Sequence, residues 1–305
     1  MRGQKWPQKL NHFFVKVRAF WRWLRYVEAK AAKRPLLINL DETSLTTFFE
    51  GGRGTVVGEK TPAAVAKSLG PKVSKASLRG TITHVALICN DPGLQPLLPQ
   101  FIIGTKRKFT RSLLEAVAGD RPQAVHLLAE KTAWNKNSVM TRLLPALAKV
   151  LEDKHAQPIL LFDCAPCHLG AAVYSAARAA NVDLVYVPAG MTAFLQPLDV
   201  AVFVQFKGWL RKEWRSLQSA SPEGRVPDAA WLKLCVKAAS TFLRSRRWGS
   251  SFKAIGAGGQ DQLGSAIVRD VPGALASPIP EGPPSPADLE ATFPRRRCPQ
   301  APEVI

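Results

Sequence analysis

At 305 residues, 46% of them apolar, the chain can bury one large core, or one core with appendages. Its 42 Lys and Arg against 23 Asp and Glu leave a net charge of +19, which favours a polyanionic partner, nucleic acid foremost, with ribosomal or membrane-surface roles as the ordinary alternatives. Five scattered cysteines make no disulfide framework, and no apolar run reaches the about 18 residues that a membrane-spanning helix needs.

Residues 1–34 are basic and aromatic-rich, with Phe13, Phe14, Val17, Phe20, Trp21 and Leu24 at helical spacing. Two readings stand side by side: a helix that contacts nucleic acid, or a helix that packs its aromatic stripe on a core. The stretch lacks the uninterrupted apolar centre and small-residue cleavage site of a secretory signal, and Glu28 with the absence of Ser argues against a transit peptide. "PLLINLDETS" (35–44) is an apolar run ending in acid. "GGRGTVV" (51–57) and "LRGTITHVALICND" (78–91) read as strands joined by turns, and "VHLLAE" (125–130) as another short strand. Leu143, Leu144, Leu147, Val150 and Leu151 mark a helical face over 137–151. "PILLFDCA" (158–165) is a strand, "LGAAVYSAARAA" (169–180) a helix, "VDLVYVP" (182–188) a strand and residues 198–217 a longer helix. A β-rich opening followed by alternating helices and strands predicts an α/β fold, a mixed sheet flanked by helices. Residues 219–264 form a helical extension with a helix over 228–245, and the Pro-rich 265–305 reads as a disordered tail.

Three acids fall at element ends. Leu37, Asn39 and Asp41 share one strand face, as do Ile159, Leu161 and Asp163. Were these strands neighbours in register, both carboxylates would emerge together at the C-terminal edge, where ligands bind in open α/β sheets. At about 100° per residue, Phe203, Phe206 and Leu210 lie close to the direction of Asp199, which predicts that Asp199 faces the sheet with them. Lys207, Arg211 and Arg215, four apart, form a basic stripe alongside. Carboxylates bordered by a basic ridge suit metal-dependent chemistry on a phosphate backbone. Taken alone, each acid has an ordinary reading: an Asx turn for Asp41, a turn start for Asp163, an N-cap for Asp199. Trp134 reads as core.

Cys164, Cys167 and His168 spell C-x-x-C-H, the pattern of c-type haem attachment. Haem of that type needs an exported or organellar protein, and no second C-x-x-C completes a zinc site. The same letters place Asp163 at a strand end. Asp41-Glu42-Thr43; Asp163, Ala165-Pro166 and His168; then Thr192, Gln196-Pro197-Leu198-Asp199 and Phe206-Lys207 together resemble the mariner/pogo-like branch of the DDE superfamily of endonucleases and transposases. "FIIGTKR" (101–107) and "AWNKNSVM" (133–140) resemble that branch's intervening segments, and the 35 residues between Asp163 and Asp199 match its spacing. Cys164 departs from the family's usual Asn, which predicts a looser turn after Asp163, and C-x-x-C-H is then a coincidence.

The resemblance covers about residues 35–218 and implies a ribonuclease-H-like catalytic domain. It implies Asp41, Asp163 and Asp199 as ligands of two Mg²⁺ ions (with Mn²⁺ as a substitute), DNA as partner and a nuclear setting, without haem or membrane. A homodimer is left open. His168 is implied either to contact the scissile phosphate or to orient Asp163, against a plain reading as a locally packed histidine. Lys207, Arg211 and Arg215 are implied to hold DNA. Family members usually carry helix-turn-helix modules ahead of this domain, whereas 34 residues precede it here, so the expectation is either a fragment or decayed copy or DNA recognition supplied from elsewhere. The alternative function is a domesticated or decayed protein that binds DNA without cutting it.

Overall fold

Strand β1 (Arg34–Ser44) lies at the middle of the sheet, and its composition says why. Leu36, Leu37, Ile38 and Leu40 are all fully buried. A strand covered on both faces reads as a continuous apolar run rather than an alternating one. The same pattern runs through β2 (Ile82–Cys89), buried throughout, and β5 (Ala156–Asp163), buried up to its last residue. The remaining strands are β3 (Gln100–Thr105), β4 (Val125–Glu130) and β6 (Asp183–Val187).

The computed structural model describes residues 6–45, 82–221, 226–257, 279 and 281–293. Among them the strands form one six-stranded sheet in the order β4-β3-β2-β1-β5-β6. β1 runs antiparallel to β2, with Asp41 opposite Ala86, and parallel to β5, with Asn39 opposite Leu161. β2 and β3 are antiparallel, while β3–β4 and β5–β6 are parallel. Flanked by helices, this mixed sheet has the expected ribonuclease-H-like architecture. The expected strand at 51–57 lies outside the described residues, as does the start of the one over 78–91.

Helix α1 (Trp6–Lys30) turns its aromatic stripe inward: Val17, Phe20, Trp21 and Leu24 are buried against the core. Its Trp21 indole N–H donates to the Ile255 carbonyl at 2.8 Å. At Gly256, which holds a φ of +80°, a Cβ would meet the Trp21 ring at 2.8 Å, so the close approach and the backbone both require glycine. Helix α2 (Arg111–Ala118) and strand β3 are elements that the sequence pattern did not disclose. Helix α3 (Asn137–Leu151) buries Leu143, Leu144, Leu147 and Leu151 and packs on β5 and on α4 (Ala171–Ala179).

After the short α5 (Thr192–Leu195), the helix expected over 198–217 begins differently from the expectation. Its first five residues, Leu198–Val202, form a wide π turn, and the α-helix proper, α6, runs Phe203–Ala220. Single π turns cluster at functional sites because they re-aim a side chain without breaking the helix. The helix expected over 228–245 is likewise α7 (Asp228–Lys237) running into a π segment, Ala238–Leu243. α7 packs on α6 and α2, and the short α8 (Gly249–Ala254) follows, so this extension joins the central core.

The Pro-rich tail contains order that composition did not predict. Helix α9 (Pro286–Thr292) packs on α1. Ser285 and Asp288 close a capping box at its start, with Ser285 N–H donating to Asp288 Oδ2 at 2.8 Å and Asp288 N–H to Ser285 Oγ at 3.2 Å. Arg22 of α1 pairs with Asp288 at 3.1 Å, and Phe293 is buried. A Pro-rich composition hides a seven-residue helix that is stable only because a core receives it.

Candidate active site

The register of β1 against β5 is what assembles the site. Asn39 lies opposite Leu161, and two residues on along each parallel strand come Asp41 and Asp163. Asp199 arrives from the π turn, which contacts β1. Asn39, fully buried, stitches the three elements: its amide donates to the Leu161 carbonyl at 2.9 Å, and its Oδ1 accepts from the Leu198 N–H at 2.8 Å.

The three carboxylates feel one another's charge. Burial first, then the charges of Asp199, Glu42 and Asp163, push the Asp41 carboxyl up to about 8; the Glu42 N–H, donated to Asp41 Oδ1 at 2.8 Å, opposes this only in part. Asp199 is raised as well, by burial and by Asp163, against the Thr192 hydroxyl and the Lys207 charge. As a whole residue Asp199 is exposed, unlike Phe203, Phe206 and Leu210, which are buried as expected. The π turn carries Asp199 to the open side of the cluster instead of under the helix.

Asp163 behaves oppositely. Burial would raise it, yet the His168 hydrogen bond and charge and the Ala165 N–H hold it below the usual carboxylate range. His168 Nδ1 lies 2.8 Å from Asp163 Oδ1, and its Nε2 lies 3.1 Å from Glu42 Oε1. Both neighbours are acceptors, so the ring donates from both nitrogens as an imidazolium. Burial lowers the His168 pKa, but Asp163, Cys167 and Glu42 outweigh it and raise the group well above its ordinary value. At 0% exposure, His168 faces these two acids and not solvent. Of the two places expected for it, the contacts of His168 match the one that orients Asp163.

The turn after Asp163 is firm despite Cys164. Ala165 N–H donates to Asp163 Oδ1 at 3.0 Å, and His168 N–H to the Ala165 carbonyl at 2.9 Å. The two sulfurs of C-x-x-C-H have different neighbours. Cys164 Sγ is buried against the Val187 and Thr292 carbonyls, each at 3.4 Å, whereas Cys167 is half-buried beside Glu42 and His168. Gly170 follows because Asn137 of α3 crosses there: a Cβ would meet its Nδ2 at 1.6 Å.

Sequence reasoning missed the roles of Glu42, Asn39, Asn135 and Thr192. Asn135 donates to Glu42 Oε1, fixing it for His168. Glu42 follows Asp41 in the same strand, where period-2 alternation puts it on the opposite face, so its one signal was its place in the Asp41-Glu42-Thr43 motif. Trp134, read as core, is 75% exposed and next to Asn135 in the chain. Lys207, Arg211 and Arg215 are exposed along α6; Lys207 Nζ lies 5.6 Å from the Phe203 ring centroid, and Arg211 and Arg215 line a depression with Gly208, Lys212 and Ser216.

A ribonuclease-H-like sheet with acids gathered at the edge of its two central parallel strands defines a carboxylate-site α/β protein. The sequence model of the DDE superfamily endonuclease family matches residues 81–247, more than half of the chain, and the chain belongs to that family. The match includes Asp163 and Asp199; Asp41 enters the site through the pairing of β1 with β5. No curated protein matches the chain. Among solved structures, the Mos1 transposase paired-end complex with left transposon end is 15% identical, with a TM-score of 0.41, over 84% of this chain and 66% of that one. The Mos1 strand transfer complex (14%, TM-score 0.41, 82% and 63%) and the Mos1 mariner paired-end complex with Mn (13%, TM-score 0.40, 82% and 64%) are comparable. The chain therefore spans just under two thirds of the Mos1 chains it resembles. Among the described residues no helix is long and apolar enough to cross a membrane.

Proposed function

We propose that this chain is the catalytic domain of a DNA endonuclease/transposase that hydrolyses phosphodiesters and transfers strands with the help of divalent metal ions, in the nucleus. The observation that carries this reading is geometric: the β1–β5 register and the π turn bring Asp41, Asp163 and Asp199 to one edge of the sheet, where burial and the neighbouring acids push the Asp41 carboxyl up to about 8. The donors at Asp41, Asp163 and Asp199 are all hard carboxylate oxygens, which fit Mg²⁺, with Mn²⁺ as a substitute and two ions as the expected number. Bound there, the cations supply Lewis-acid polarisation of the phosphodiester and an activated water or DNA hydroxyl.

The chain's own residues prepare that chemistry. Asp163 is kept ionised by His168, whose hydrogen bond falls on Oδ1. Asn39 holds β1, β5 and the Asp199 turn in one register, so the carboxylates are positioned before substrate arrives. Lys207, Arg211 and Arg215 hold the phosphate backbone along α6, and Trp134 offers its exposed ring to an unpaired base.

The test is nicking of plasmid DNA by purified protein with Mg²⁺ or Mn²⁺, beside Asp163→Ala at matched salt. Metal-dependent nicking absent from the variant supports a working site. Equal DNA binding by both proteins with nicking by neither supports a silent binder instead.

A further inference from the structure

Glu42, Cys167 and His168 bring a carboxylate oxygen, a thiol sulfur and an imidazole nitrogen within 4.8 Å of one another. The DNA-cutting chemistry uses none of these atoms directly. We propose that they form a second metal site, specific for a borderline-soft divalent ion of the zinc class and distinct from the hard-cation cluster of Asp41, Asp163 and Asp199.

Three features of the geometry support it. Zinc bonds of about 2.0–2.3 Å in a tetrahedron place donors about 3.3–3.8 Å apart. Glu42 Oε1 and His168 Nε2 already lie 3.1 Å apart, so the ion needs only a small separation of that pair and an inward turn of the thiol. Ligating histidines characteristically donate the other ring N–H to a carboxylate. Here Nδ1 donates to Asp163 Oδ1 at 2.8 Å, which fixes the ring with Nε2 toward the site. Glu42 in turn is held by the Asn135 amide.

The donor set also separates the two sites chemically. Sulfur and imidazole select zinc-class ions, and a cluster of carboxylate oxygens selects Mg²⁺ or Mn²⁺. Cys167 is half-buried and the Glu42 side chain is 21% exposed, so an ion can enter and a water can complete the fourth position. Binding exchanges the Sγ proton and the Nε2 proton for two bonds to the metal, and both protons leave to solvent. Glu42 and the thiolate then balance the charge of the ion. The Asp163–His168 hydrogen bond persists, so the ion replaces a proton in a bridge that already exists.

The test is titration of the chelator-treated full chain with Co²⁺ near neutral pH, read as thiolate-to-cobalt charge-transfer absorption, with no DNA present. The expected result is a charge-transfer band corresponding to one thiolate-bound ion per chain, lost on addition of Zn²⁺, whatever further Co²⁺ the carboxylates take up. Cys167→Ser abolishes the band, while Cys164→Ser, Cys298→Ser and Asp199→Asn keep it. Asn135→Ala, which frees Glu42, weakens Co²⁺ by about 10–100-fold. No band, or a band that survives Cys167→Ser, overturns the proposal. Were Cys167→Ser to unfold, alkylation of Cys167 in the unaltered protein decides: zinc slows it and Mg²⁺ does not, and equal rates with and without zinc overturn the site. Because this readout needs no DNA cleavage, its failure is distinct from failure of the endonuclease reading.

Discussion

Asn39 accepts the Leu198 N–H at 2.8 Å, and through that bond the sheet fixes the turn that carries Asp199. The same side chain donates to the Leu161 carbonyl, two residues before Asp163. Replacing it by Leu keeps the branched shape, adds some bulk, and strands a buried donor and a buried acceptor. Asn39→Leu is expected to lose about 2–4 kcal/mol of stability by denaturant unfolding. Metal-dependent nicking falls further than DNA binding, since Asp199 loses its register while the basic ridge is untouched. Equal loss of both would assign Asn39 to folding alone.

His168 ionises Asp163 by hydrogen bond and by charge, both acting against burial. In His168→Gln the positive charge is gone and the Asp163 carboxyl rises toward its ordinary range or above. The acid limb of the nicking rate against pH therefore moves to higher pH, with metal affinity weakened in parallel. An acid limb that stays in place would show that Asp163 does not govern it.

Asp41 makes the metal-free protein sensitive to alkali. Its folded pKa, about 8, exceeds the unfolded carboxylate value, so the native state binds the extra proton. Stability from this group is complete below about pH 4 and declines as pH rises toward 8, by at most about 1.4 kcal/mol per pH unit. Thermal melts of chelator-treated protein should fall across this window. Asp41→Asn flattens the fall, and Mg²⁺ or Mn²⁺ reverses it at the upper end by binding the native state. A melting temperature that rises over the same window would contradict this account.

Particular residues show how much of this site was legible in the sequence. Asp41 and Asp163 were found because both end the apolar run of a strand buried on two faces; Asp163 closes β5, whereas β1 continues past Asp41 to Ser44, which corrects the expected strand end. Their juxtaposition followed from assuming parallel neighbours in register, which the pairing of Asn39 with Leu161 provides. Asp199 was found by helix angle, yet its exposure was misjudged, because a π turn is not written in a 3.6-residue period. His168 was placed near Asp163 but its grip on Glu42 crosses 126 positions of sequence, which no local pattern encodes. Trp134 was assigned to the core on its residue type, and only the surrounding surface corrects that.

Trp134, at 75% exposure, contributes little to folding and is free to stack on an unpaired base. Trp134→Ala should leave stability within about 0.5 kcal/mol. Affinity for single-stranded DNA falls by about 1–3 kcal/mol, with Trp134→Phe recovering most of it. Fluorescence titration of the three proteins with a short oligonucleotide checks this. Unchanged affinity in Trp134→Ala would remove the ring from the DNA path.

The basic ridge of α6 divides into two functions that salt separates. Lys207 is near enough to Asp199 to lower its pKa, and Arg211 and Arg215 lie one and two turns further along α6. Each DNA phosphate that a substitution leaves without its cation should reduce the slope of log affinity against log salt by about 0.9. Arg211→Gln with Arg215→Gln therefore lowers the slope by about 1.8 and leaves the metal concentration for half-maximal nicking unchanged at saturating DNA. Lys207→Gln lowers the slope by about 0.9 and also raises the Asp199 pKa, so its metal requirement moves too. Duplex binding across a salt series, paired with metal titrations of nicking, reads both. A slope indifferent to all three substitutions would place the DNA path elsewhere, with the basic depression lined by Arg246 and Arg247 as the next surface to probe.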